Sequence, residues 1–549
     1  MINANVNKTT EATGPATPSP QTVLAAAIVE AIRDAGTEVA FGVPGSGSTL
    51  ELLGVAEREG LRFVLCHMES AAAIAAGAYG ELTGRLGVCL VTRGPGAASC
   101  VNGTAQALLD RVPLLVISEA VGHGEWSRIA HQRIDQRTLY TPVTKWTAAA
   151  GAADGREVVR RAIEIAYSKP QGPVHIDFVA DAPPCDEMPA VEHVPSIDED
   201  ALQRAMELLS GASNPVVIVG VGARDVVPQV RSLIQSAGCL ALTTYKAKGA
   251  VPETWPHFAG LLTGGTIEAP VLEQADLLVG IGFDSVELIP GPWPYDAPLV
   301  SFAEWPEKAG FFEPAVEVVA PLQDVLPRLA PYLTAARPAG SREDWLMMKL
   351  KLEAPTEGLS PQEVVNAVRE IADPSTIATI DSGAHMLVVM PLWEVDEPGQ
   401  ALISSGLGSM GFAVPAAIGA AVARPSRHVV AFTGDGGLGM TIGELETLAR
   451  LNLRVVVVVL DDSALTMVKI KMTDAHGGFG SVDYDRSDFA AIARGYGLPA
   501  FRADDGPSLG RAVRAAFDVD GPAVVHAVID PGGYKHVIGA IRGARARGH

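Results

Sequence analysis

Two aspartates, Asp435 and Asp462, stand 27 positions apart with glycines around the first of them, and this pairing is the strongest chemical signal in the chain. Asp435 follows an apolar run at 427–432 (RHVVAF) inside Gly434-Asp435-Gly436-Gly437, and Asp462 closes a second run at 455–460 (VVVVVL). Carboxylates at such strand ends can hold a divalent cation that bridges phosphate oxygens. Glycines at a helix start let backbone N–H groups come close to a phosphate. The segment reads as a metal and diphosphate site, with a plain turn as the alternative for Asp461-Asp462. Glu69 is the acid best placed for catalysis. It sits in Met68-Glu69-Ser70-Ala71-Ala72-Ala73, entering the small-residue stretch AIAAGAYG, where a solvated face explains a charge poorly and a helix cap is the competing role. His385, in Asp381-Ser382-Gly383-Ala384-His385, and Met410, in Gly406-Leu407-Gly408-Ser409-Met410-Gly411, would each pass for core or surface residues if taken alone.

The elements that must carry these groups are strands feeding helices. A strand at 427–432, a glycine loop, a helix at 441–450 and a strand at 455–460 put both acidic loops at the carboxyl ends of neighbouring parallel strands. Open α/β sheets bind their ligands there. The same order occurs earlier: VCLVT at 88–92, Arg93-Gly94-Pro95-Gly96, a helical stretch, then PLLVIS at 113–118. Both sets of strands are continuously apolar, as in sheets covered on both faces. Low-structure stretches at 182–198 and 336–361, rich in Pro and acid, divide the chain. The expected fold is α/β, three doubly wound domains with mainly parallel sheets, over 21–182, 196–335 and 359–535, followed by a loose basic tail.

A chain of 549 residues, nearly half of them hydrophobic, can bury about three cores. A formal charge of −21 argues against nucleic acid as a general partner. No apolar run reaches membrane-spanning length, and the polar first 20 residues do not form a secretory leader. Cys66, Cys89, Cys100, Cys185 and Cys239 are scattered, with no C-x-x-C pair. They read as reduced and mostly buried, which suits the cytoplasm.

The GDG segment, an intervening helix and strand, and then Asn or Asp form the signature of thiamine diphosphate enzymes. The chain resembles the acetolactate synthase and 2-oxo-acid decarboxylase superfamily over nearly its whole length. The resemblance implies a pyrimidine-binding domain, a central domain and a diphosphate-binding domain, in that order. It places the cofactor between the first domain of one subunit and the third of another, so the active form is a homodimer or homotetramer. It implies Mg²⁺ ligation by Asp435, Asp462 and the backbone carbonyl of Ala464, and diphosphate contacts from Gly436, Gly437, Gly383 and His385. Met410 becomes the wedge under a bent cofactor, the Gly408 carbonyl accepts from its 4′-amino group, and Met467 joins the cofactor-binding residues. Glu69 hydrogen-bonds N1′ of the aminopyrimidine. Gly45, in Phe41-Gly42-Val43-Pro44-Gly45-Ser46, and Gln132 are the further catalytic positions. The implied reaction is decarboxylation of a pyruvate-like 2-oxo acid with ligation of the remaining acyl unit to a carbonyl acceptor. A non-ligating decarboxylase, an acetyltransferase acting on an anionic substrate, and a catalytically silent regulatory subunit stay open as alternatives.

The chain departs from the family in its substrate-facing loops. Met68 stands where many acetolactate synthases have His, Arg93 where they have Ser, His131-Gln132-Arg133 where they have Phe-Gln-Glu, and Lys471 where the FAD-containing synthases have Trp. Ser46, Arg93, His131 and Lys471 are the candidate substrate residues. With Arg133 and Lys469, the cations among them would suit an acceptor carrying an extra anionic group. Glycine pairs at 219–223 (VGVGA) and 280–284 (GIGFD) could end nucleotide-binding strands. The second loop, however, resembles the flavin-free catabolic type, so FAD is not expected.

Overall fold

The continuous apolar runs become buried parallel strands. In the computed structural model, which describes residues 18–288, 293–308, 310–335, 342–350, 352–353, 356–477 and 480–542, they form three sheets of six strands each. The first contains β1 (Val39–Val43), β2 (Arg62–Leu65), β3 (Gly87–Val91), β4 (Leu114–Glu119), β5 (Trp146–Ala150) and β6 (Pro173–Phe178), ordered β2-β1-β3-β4-β6-β5. The central sheet contains β7 (Pro215–Val219), β8 (Leu240–Thr243), β9 (Phe258–Leu261), β10 (Leu277–Ile281), β11 (Leu299–Ala303) and β12 (Val316–Val319), ordered β12-β11-β10-β7-β8-β9. The third contains β13 (Ile377–Ile380), β14 (Ala401–Ile403), β15 (Val429–Gly434), β16 (Val455–Asp461), β17 (Ala500–Ala503) and β18 (Ala523–Val528), ordered β14-β13-β15-β16-β18-β17. Every pairing between these strands is parallel. The first and third sheets share one strand order, so the repeated strand–glycine–helix–strand pattern reflects a repeated layout.

The winding of each sheet reverses between β1 and β3, β7 and β10, and β13 and β15, and the first and third sheets turn back again at their far edge, where β6 and β18 sit inside β5 and β17. The crevice outside such a reversal is where doubly wound sheets take ligands. The loops there carry Gly45 and Arg93 in the first unit and Asp381–His385 and Asp435 in the third.

Two local expectations change. The segment 434–437 is not a loop before a distant helix: helix Asp435–Thr441 starts directly at the strand end with Gly434 as its N-cap, and a second helix, Glu444–Leu451, follows. Gly437 permits this, because a Cβ there would collide with the Asp381 carboxylate on the neighbouring strand end. The stretch 336–361 holds a helix, Arg342–Leu350. Its Trp345 is buried edge-on against Phe258, with ring centroids 5.9 Å apart, and Arg342 donates to Glu394 at 2.7 Å. The remainder of that stretch at 336–341, 351 and 354–355, and the tail at 543–549, lie outside the described residues. Residues 182–198 contain no helix or strand.

The Ala-rich stretch after Glu69 becomes helix Glu69–Thr83, and its small residues let helix Ala413–Ala423 of the third unit lie close against it. A Cβ on Gly419 would strike the Ala75 carbonyl. All five cysteines are free, and only Cys185 is not buried. Among the described residues, no helix is long and apolar enough to cross a membrane.

Candidate active site

At the third sheet's reversal, Gly434 of β15 lies in register with Leu460 of β16, which brings Asp435 beside Asp461 and Asp462. Burial and then the neighbouring Asp462 push the Asp435 carboxyl up to about 7, and burial also raises Asp462. The nearby cations are used elsewhere: Lys469 pairs with Asp483 at 2.6 Å, and Arg486 lies 3.6 Å from Asp461. Asp435 is raised by burial and by Asp462, and Asp462 by burial and by Asp461, so charge of one sign gathers here, as a cation would require. Among the described residues, no group of three or more His, Cys, Asp or Glu side chains gathers into a metal cage. The chain turns back towards the acids through Ser463, which holds a left-handed φ of 60°, and the Ala464 N–H donates to Asp462 Oδ1 at 3.2 Å.

Opposite these acids, burial pushes His385 down to about 4, so its ring is neutral. Its Nε2 and the Ser382 Oγ are buried without a hydrogen-bond partner. Buried polar atoms are nearly always satisfied, so two orphans in one loop point to a polar guest. The His385 ring lies 3.4 Å from the Cβ position of Gly434, and the Met410 Cε lies 3.4 Å from that of Gly436. The Cβ position of Gly408 is 3.9 Å from Ser382 Oγ, so the 408–410 turn leans over the same crevice. Met467 is half-buried against the core.

Two residues of this site were not anticipated. Asp381 joins its three loops: Oδ1 accepts the N–H groups of Ser382 at 3.0 Å and Phe412 at 3.1 Å, and Oδ2 accepts the Thr433 hydroxyl at 2.9 Å. Tyr534, 2% exposed, feels both Asp462 and Asp435, which together with burial raise its phenol. The only sequence signal for Asp381 was its place at the head of the DSGAH segment, and Tyr534 had none.

Glu69 is the first residue of its helix, half-buried, with Oε1 3.2 Å from the Cβ position of Gly96. The helix entry is pinned from the third unit. Glu444 Oε1 accepts the His67 N–H at 2.9 Å and the Met68 N–H at 3.1 Å. Around Glu69 the first sheet's reversal loops converge. A Cβ on Gly45 would strike Thr92, one on Gly96 would lie 2.7 Å from the Thr92 methyl, and Gly94 rests on the Gln132 backbone. Gln132 is exposed and held at a φ of 57°, an unusual conformation for a side-chain-bearing residue.

The cations predicted to recognise an anionic acceptor do not converge within one chain. Arg93 lies 3.5 Å from Glu119, a buried carboxylate at the end of β4. Arg133 donates to the Trp126 carbonyl and stacks 5.2 Å above its ring. Ser46, His131 and Lys471 are exposed.

At the central sheet's reversal the chain's own side chains fill the crevice. Glu287 accepts the Val221 N–H at 2.9 Å and the Thr244 hydroxyl. Burial, with a contribution from Asp284 and opposed by Lys246, pushes its carboxyl up to about 8. An acid whose folded value exceeds its unfolded one costs no stability below the ordinary carboxylate range. It destabilises progressively as pH rises, levelling off above about 8. Glu287→Gln is therefore expected to raise Tm more at pH 8 than at pH 5.5. Thermal unfolding at both pH values checks this, and an equal difference at the two would contradict it.

The chain matches three parts of one family: "Thiamine pyrophosphate enzyme, N-terminal TPP binding domain" over residues 22–139, the central domain over 202–329, and the C-terminal TPP binding domain over 381–527. It is 32% identical over 548 residues to the acetolactate synthase large subunit of Parasynechococcus marenigrum, covering 92% of this chain and 88% of that relative. The chain belongs to the thiamine pyrophosphate enzymes. It is also 29% identical to the acetolactate synthase isozyme 1 large subunit of Escherichia coli, over 92% of this chain and 93% of the relative. It is 28% identical to the catabolic acetolactate synthase of Raoultella terrigena, over 92% and 94%. As a thiamine pyrophosphate enzyme it uses thiamine diphosphate. The orphaned polar atoms of Ser382 and His385, beside the raised carboxyls of Asp435 and Asp462, fit a diphosphate that arrives with a divalent cation.

Proposed function

We propose that this protein decarboxylates a pyruvate-like 2-oxo acid and ligates the acyl unit to a second carbonyl compound, as the name of its acetolactate synthase relatives suggests. The observation that carries this reading is the coexistence of the Asp435–Asp462 pair at one sheet reversal with Glu69 at the equivalent reversal of the first unit. When bound, thiamine diphosphate supplies the nucleophilic carbon that attacks the 2-oxo acid and stabilises the charge left by CO₂. Asp435, Asp462 and the Ala464 carbonyl hold Mg²⁺, while Gly436, Gly437, Gly383 and neutral His385 hold the diphosphate. Met410 and the Gly408 carbonyl would orient the ring system, with Met467 among the residues that hold it. Glu69 holds the proton at N1′. Gly45 and Gln132 would be the further catalytic positions beside the reacting carbon, and Ser46, Arg93, His131 and Lys471 the residues for the substrate. Because Glu119 offsets Arg93, an ordinary 2-oxo acid is favoured over a more anionic acceptor.

The domains in this reading are 21–182, 196–335 and 359–535, and the protein is a cytoplasmic homodimer or homotetramer with active sites between subunits. Support for the partner comes from large apolar residues exposed on both sides of the divided site: Leu50 (55%) and Met68 (43%) near Glu69, Met440 (53%) and Tyr484 (47%) near Asp435. The central domain holds no FAD in this reading, since Glu287 already takes the N–H that a nucleotide phosphate would use. Mass spectrometry of products formed from pyruvate with thiamine diphosphate and Mg²⁺ tests the reaction. Acetolactate is expected, and acetaldehyde as the sole product would overturn ligation.

A further inference from the structure

A group of buried charges outside these residues lies where the three units meet. Asp110, the C-cap of helix Pro95–Leu109, is 1% exposed. Its Oδ1 accepts two successive backbone N–H groups of the third unit, Ser405 at 3.0 Å and Gly406 at 2.8 Å. Its Oδ2 accepts the Gln106 amide at 2.6 Å and lies 3.7 Å from Lys246 Nζ. Lys246 comes from the central unit, just after β8, and its side chain is 2% exposed. It donates to Glu81 of the first unit at 2.9 Å and to the Ile403 carbonyl of the third at 3.3 Å. One ammonium thus touches all three units. Its contact on the Ile403 carbonyl, and those of Asp110 on Ser405 and Gly406, fall on the backbone that leads into Gly408 and Met410. The turn has little room to shift on that side, because a Cβ on Gly406 would lie 2.6 Å from Leu109.

Arg224, also from the central unit, pairs with the same Glu81 at 3.2 Å. It joins two units, but its contact does not include the turn. The comparison separates simple linkage of domains from control of the 404–410 backbone.

We infer that Asp110 and Lys246 are positioning residues that set the 404–410 turn, so that the central unit contributes to turnover through an ammonium and not through a bound nucleotide. The inference rests on the reading that Gly408 and Met410 orient the cofactor's rings. A misplacement of about 1 Å in such a group can cost about 10²-fold in rate.

The test uses the full-length holoenzyme and reads kcat, KM for pyruvate, and hydrogen–deuterium exchange at the C2 position of bound thiamine diphosphate. Asp110→Ala and Lys246→Met are expected to slow exchange and kcat by about 10²-fold with KM nearly unchanged. Asp110→Asn, which keeps an oxygen for both N–H groups, and Lys246→Arg, which keeps the charge, should recover most of the exchange. Arg224→Met should exchange as wild type does. If Asp110→Ala does not fold, Lys246→Met against Arg224→Met decides alone. Wild-type exchange in Lys246→Met, or an equal loss in Arg224→Met, would overturn the inference. A fully active Glu69→Gln enzyme would instead sink the underlying site reading, so the two failures are distinguishable.

Discussion

Glu69→Gln is expected to yield a folded protein that still binds thiamine diphosphate but turns over on the order of 10³-fold more slowly, the scale of a lost acid–base group. Glutamine fills the same volume at the first turn of helix Glu69–Thr83 and meets the same Gly96 wall. The helix entry does not depend on this carboxylate, because Glu444 takes the His67 and Met68 N–H groups. What changes is the ability to hold a proton at the cofactor ring. The loss should therefore fall on kcat and on C2 hydrogen exchange, with cofactor affinity and Tm close to wild type. Wild-type turnover in this variant would remove Glu69 from the mechanism.

Asp435→Asn is expected to separate cofactor binding from folding. In the apoprotein the Asp435 and Asp462 carboxyls are both raised, by burial and, for Asp435, by the neighbouring acid. Removing one charge relieves that repulsion, so the variant without cofactor should unfold at a Tm no lower than wild type. With cofactor present the order reverses. Loss of even an outer partner of a metal can weaken binding by 10–100-fold, so loss of a direct ligand should weaken it by at least about 10²-fold. At a ligand concentration of about 100 Kd, wild type gains about 2.7 kcal/mol, and a 10²-fold weaker variant would gain about 0.4 kcal/mol. Thermal unfolding with and without Mg²⁺ and thiamine diphosphate measures both effects. A variant stabilised as much as wild type would exclude Asp435 as a ligand.

The sequence alone determined the elements with strong local patterns. Continuous Val and Ile runs dictated buried parallel strands, glycines after them marked reversal loops, and the duplicated order of these signals matched a duplicated sheet layout. Asp435, Asp462 and Glu69 stood out as candidates because each is an acid where an apolar pattern gives no ordinary reason for one. Even there, local reading missed that helix Asp435–Thr441 starts at the acid itself, because the space Gly437 needs is defined by Asp381, 56 positions earlier. Tertiary structure decided the rest. Glu444 and His67 are 377 residues apart, and Asp110 and Ser405 are 295 apart. Asp110 in LLDRVP and Lys246 in TTYKAKG carry no local pattern that marks them, and folding buries both against backbone groups of other units. Within one chain, Arg93 and Lys469 each lie against a carboxylate and Arg133 against a carbonyl, contacts that local spacing did not indicate. The identity of a buried charge's partner is a property of chain crossings, and local spacing carries no information about those.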